Sequence, residues 1–126
     1  MKKIIPVPNA PQPGGHYSHA VQAGNLLYTA GQIPLDPTTG KLVDGGIETQ
    51  TRQVMQNLKT VLNAAGVGFP HVVKAHVYVD DIAYMPVVNS IYAEHFPTDP
   101  PARTSVQVAA LPMGALIEIG LIAVIA

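Results

Sequence analysis

The chain has no cysteine among its 126 residues, so disulfides, thiolate catalysis and cysteine-bound metals are excluded. It has no tryptophan and only 12% charged residues, about half the share of an average soluble domain. Net charge is −1 with no run of lysine or arginine, which disfavours nucleic acid and anionic membranes as partners. The longest apolar runs fall short of a bilayer span, and prolines soon follow Met1-Lys2-Lys3 where a secretory leader would carry an apolar core. These absences point to a cytoplasmic chain. Hydrophobic residues make up 48%. With so little charge to cover the exterior, part of that apolar surface is expected to meet another copy.

The length and even composition fit one domain over residues 1–126. Residues 6–15, rich in proline and glycine, read as an irregular arm. His16 to Gln22 alternates, then Ala23-Gly24-Asn25 turns into Leu26–Ala30, a hairpin. From Ile47 to Ala65 the period becomes helical, with Thr51, Val54, Leu58, Val61 and Leu62 on one stripe and Gly66 as a left-handed cap. A strand over His71–Val79 follows, with Val73, Ala75, Val77 and Val79 expected inward. Asp80-Asp81 supplies capping oxygens for a helix over Tyr84–His95, where Pro86 fits the first turn.

The last quarter holds the candidate chemistry. Pro100-Pro101 delivers an extended chain into Arg103, one of two arginines, and Glu118 lies between Ile117 and Ile119. The turn Leu111-Pro112-Met113-Gly114 suggests that their two strands form a hairpin. Alternation places Arg103, Ser105 and Gln107 on one face, and Glu118 with Gly120 opposite to Ile117, Ile119 and Leu121. Arg103 reads either as a surface charge or as a bidentate carboxylate clamp. Glu118 reads either as an edge charge that blocks aggregation or as a base tuned by apolar surroundings. An ion pair between the two is a third option. The five histidines are scattered without metal-ligand spacing, and no serine–histidine–aspartate order or phosphate-binding glycine pattern appears. Two helices covering one face of a largely antiparallel sheet give an α+β sandwich whose other face is left for a partner.

Pro101-Ala102-Arg103-Thr104-Ser105-Val106-Gln107-Val108, Leu111-Pro112 and Ile117-Glu118-Ile119 together resemble the C-terminal pattern of the RidA (YjgF/YER057c/UK114) family. The resemblance extends through Tyr17-Ser18, Gly31-Gln32-Ile33-Pro34, Val72–Ala75 and Val88-Asn89 with Tyr92. It implies a chorismate-mutase-like α+β fold and a homotrimer with clefts between subunits. It also implies hydrolysis of 2-imino or enamine acids, such as 2-aminoacrylate and 2-iminobutanoate, to 2-keto acids and ammonia, without cofactor or metal. By that resemblance Arg103 clamps the substrate carboxylate. Glu118 and the backbone carbonyl of Ser105 hold the attacking water, and Tyr17, Gly31 and Asn89 line the cleft. Four positions depart from the family's frequent residues: His16 stands for proline, Ala30 for serine, Ser105 for cysteine and Gly120 for a second glutamate. A binding, regulatory or chaperone-like module without turnover, and a 2-aminomuconate-type deaminase, are the alternatives.

Overall fold

The computed structural model describes residues 1–125. Its strands are β1 (Lys2–Ile4), β2 (Ala20–Ala23), β3 (Leu26–Thr29), β4 (Val72–Val79), β5 (Ala102–Gln107) and β6 (Ile117–Val124). Its helices are α1 (Ile47–Ala64) and α2 (Met85–His95). The strands form one sheet in the order β1-β2-β3-β6-β4-β5, antiparallel except for β4 with β5. This is the expected α+β architecture.

Both helices lie on one face because each carries one apolar stripe. Val54, Leu58, Val61 and Leu62 of α1, and Val88 and Ile91 of α2, are buried against Leu27, Ala75, Val77, Ile119 and Leu121 of the sheet. Gly66 (φ 77°) stands just past the end of α1 in the left-handed conformation expected of it. Asp81 accepts a hydrogen bond from the Ala83 N–H at 2.9 Å, opening the short turn that leads into α2. Asn57, buried in the core, donates to the carbonyls of Ile33 and Leu35, tying the loop after β3 to α1.

Four local expectations are corrected. The strands bearing Arg103 and Glu118 are not a hairpin, because β4 lies between them. The β4–α2–β5 crossover makes β5 a parallel neighbour of β4, whereas β6 returns between β3 and β4 and pairs with both. Val73 points outward and is 44% exposed, since a bulge between Val72 and Lys74 shifts the alternation by one residue. His16–His19 lies outside the strands, and β2 begins only at Ala20. Finally, the arm is preceded by β1, a three-residue edge strand whose two lysines hid it from a hydrophobic pattern.

Candidate functional site

Glu118 owes its position to β6. Its neighbours Ile117, Ile119 and Leu121 face the helices and are buried, so Glu118 faces the uncovered side of the sheet, opposite Tyr78 in the register. A further bridge brings a loop against it. The Gln32 N–H donates to the Ile119 carbonyl at 2.8 Å and the Ile119 N–H donates to Gln32 at 3.2 Å. That bridge lays Gly31 against the Glu118 side chain, where a Cβ would stand only 2.8 Å from the carboxyl carbon. Any side chain at position 31 would therefore displace the Glu118 carboxylate, a matter of packing rather than of an unusual φ. At Gly120 a Cβ would make only an ordinary van der Waals contact with the Gly31 backbone, at 3.6 Å, so this approach does not itself demand glycine there. Half-burial pushes the Glu118 carboxyl above its ordinary value. Both ion pairs among the described residues belong to Arg52, with Glu48 and Glu94, so Glu118 has none.

Three depressions meet at Gly31 and Glu118, two of them bordered by Tyr17 and the third running over His76 and Tyr78. Of the pair beside Tyr17, one is an open groove of about 820 Å³ that includes Lys2, Tyr17, Tyr28 and Thr29. The other, about 250 Å³, is mainly apolar, with Pro11, Ile33, Leu35 and Met113 in its walls. Tyr17 borders both and is 51% exposed; its hydroxyl accepts a hydrogen bond from the Gly14 N–H at 3.2 Å. The loop that carries Tyr17 is anchored by His19. One ring nitrogen of His19 meets the Pro11 carbonyl, and the other lies 3.2 Å from the Gln32 side-chain amide. Sequence reasoning missed this His19–Gln32 pair, whose signal was a glutamine in an otherwise apolar stretch beside Gly31. It also missed Thr29, whose hydroxyl accepts from the Leu121 N–H at 2.9 Å and ties β3 to β6.

Arg103, Ser105 and Asn89 sit elsewhere. The register pairs Arg103 with Ala75 and Ser105 with Val77, residues that face the helices. Arg103 is exposed at the start of the edge strand, its guanidinium carbon 4.8 Å from the centre of the Tyr92 ring on α2. Asn89 is exposed one turn earlier on that helix. The Ser105 hydroxyl is buried and unpartnered among the described residues. Thus the expected site residues form two sets: Tyr17, Gly31 and Glu118 on the open-face side, and Asn89, Arg103 and Ser105 beside α2. Within one chain the sets face opposite sides of the sheet, and no Arg103–Glu118 ion pair forms.

Comparison with known proteins places this geometry. Residues 7–125 match the family model described as Endoribonuclease L-PSP. A RutC family protein of Pyrococcus horikoshii is 50% identical over 98% of both chains. The mouse 2-iminobutanoate/2-iminopropanoate deaminase is 44% identical over 98% of this chain and 92% of its own. Among solved structures, the yeast protein YEO7 superposes with a TM-score of 0.96 at 40% identity, covering both chains completely. With nearly the full length matched and the C-terminal Pro-Ala-Arg and Ile-Glu-Ile segments in place, the chain belongs to the Endoribonuclease L-PSP family, the YjgF/RidA group.

Proposed function

We propose that this chain hydrolyses reactive 2-imino and enamine acids to 2-keto acids and ammonia, in clefts built by two copies of a homotrimer. The Glu118 carboxylate is the observation that carries this reading. It is half-buried, without an ion pair, pressed against Gly31 at the meeting of three depressions, and raised above its ordinary pKa by burial. Such a group suits a base that works near neutral pH. A pure carboxylate binder gains nothing from a negative charge beside its ligand. The mouse and rat relatives named as imine deaminases support the same class of reaction.

In this mechanism Arg103 binds the substrate carboxylate through paired N–H donors, leaving the imine carbon facing Glu118 of a neighbouring copy. Glu118 and the Ser105 carbonyl hold a water, and Tyr17, Gly31 and Asn89 border the bound acid. The water oxygen adds to the imine carbon while Glu118 accepts its proton, giving a carbinolamine. Glu118 returns that proton to nitrogen, and as the C–N bond breaks and ammonia leaves, the carboxylate takes the hydroxyl proton, so that the C=O bond forms. The imine carbon is already electrophilic, so orientation and proton handling suffice, with no cofactor. Since the two sets of residues face opposite sides of the sheet, a cleft containing both needs two chains, and a closed ring of three supplies three such clefts.

The family description names RNA cleavage, but a net charge of −1 and only seven lysines and arginines provide little for a phosphate backbone. The deciding assay generates 2-iminobutanoate in situ with an amino-acid oxidase and follows keto-acid release. Acceleration well above the spontaneous rate, lost in Glu118→Gln, is expected. Wild-type protein that leaves the rate unchanged but binds 2-keto acids would favour a binding module instead.

A further inference from the structure

Under Arg103 lies a side chain to which the reaction above assigns no part. Tyr92 of α2 is only 6% exposed, and its ring stands 4.8 Å from the guanidinium carbon. Aromatic packing fixes that ring. Phe96 lies 4.6 Å away at 38°, and Phe69 meets Phe96 edge-on at 5.2 Å and 83°. The Tyr92 hydroxyl takes no part in this, being buried without a partner among the described residues. What the residue offers Arg103 is therefore a rigid aromatic face. Arg103 itself has no ion pair among the described residues.

We propose that Tyr92 is a positioning residue for the carboxylate clamp: its ring holds the Arg103 guanidinium by its face and leaves the N–H edge free for a substrate carboxylate. This rests on the reading of Arg103 as that clamp. The negative face of an aromatic ring attracts a cation, and all five guanidinium N–H groups lie in the guanidinium plane. Stacking on Tyr92 thus uses none of the hydrogen-bonding edge. An arginine at an exposed strand start otherwise samples many rotamers, and freezing them on binding weakens affinity. Stacked on a ring fixed by Phe96, it has already lost much of that freedom.

The test changes the electronics of the ring and preserves its shape. Phenylalanine and progressively fluorinated phenylalanines would be placed at position 92, and pyruvate binding to the assembled protein measured by calorimetry. Tyr92→Phe should keep Kd within about twofold of wild type, and full fluorination should raise it stepwise to about fivefold, the scale of an exposed cation–π contact. Thermal melting monitors each variant, and the isosteric series avoids the cavity that Tyr92→Leu would leave. A flat fluorination series, with Arg103→Ala weakening binding by about 10-fold or more, overturns the role of Tyr92 and keeps the clamp. Arg103→Ala binding pyruvate as wild type does, or wild type binding none, overturns both.

Discussion

Gly31 and Glu118 fit together with no room for a methyl group: a Cβ on Gly31 would stand 2.8 Å from the Glu118 carboxyl carbon. The obstructing atoms are the far end of a flexible side chain, so Gly31→Ala should fold and push the carboxylate aside. We expect kcat for imine hydrolysis to fall at least about tenfold, since a misplaced acid–base group loses much of its effect, while melting changes little. Steady-state kinetics beside calorimetric melting checks this; unchanged kcat in a folded variant would place the chemistry away from this contact.

Burial raises the Glu118 pKa, and the sign of its effect on stability follows. The folded chain holds the proton more tightly than the unfolded chain, so stability is greatest below the unfolded carboxylate value and falls as pH rises through the folded one. Glu118→Gln should therefore melt at or above the wild-type temperature at neutral pH while losing roughly 10²-fold in kcat. In wild type, the acid limb of kcat/KM should lie above the ordinary glutamate pKa. Melting curves from pH 4 to 8, roughly spanning that carboxylate range, and the pH–rate profile together test it. A variant less stable than wild type across the range contradicts the burial cause.

Arg103→Ala should weaken 2-keto-acid binding by about 10- to 100-fold, the worth of a charge-assisted pair, without changing assembly. Arg103→Lys should restore little, because a point charge cannot match both carboxylate oxygens. Titration calorimetry with 2-ketobutyrate reads both variants. Full affinity in the alanine variant would return Arg103 to an ordinary surface role.

The uncovered sheet face presents Tyr28, Val106 and Ile122 between polar residues, with Tyr28 43% and Val106 39% exposed. Sedimentation at micromolar concentration should give the mass of three chains. Ile122→Glu should shift that mass downward and abolish turnover together, because a buried unpaired charge is strongly disfavoured. Full activity in a monomer would rule out a cleft shared between copies.

Much of the fold was legible where one face is buried. The α1 stripe, the Gly66 cap, and the turn of Glu118 away from Ile117, Ile119 and Leu121 follow from period and alternation, whereas the opposite faces taken by Arg103 and Glu118 depend on strand register. Strand partners were not legible, because periodicity reports which face a residue takes and not which strand lies beside it. Leu111–Gly114 has the composition of a hairpin turn, yet the segment carries the chain past β4. Nor does any local pattern mark the bulge that turns Val73 outward, since valine suits both faces of a strand. Glu118 was conspicuous as a charge among isoleucines. The contact that shapes its surroundings, Gly31, depends on a bridge to Ile119 far along the chain.

The central place of β6 also sets an order of events during synthesis. β6 follows every other strand in the sequence, yet it alone joins the β1–β3 meander to the β4–β5 pair. Until Ile117–Val124 emerges, the nascent chain holds two fragments with unsatisfied edges facing a missing strand. Such late, long-range pairing is slow and leaves apolar edges open to aggregation. Glu118 arrives on that same strand, so a nascent chain gains its carboxylate only as its sheet is completed.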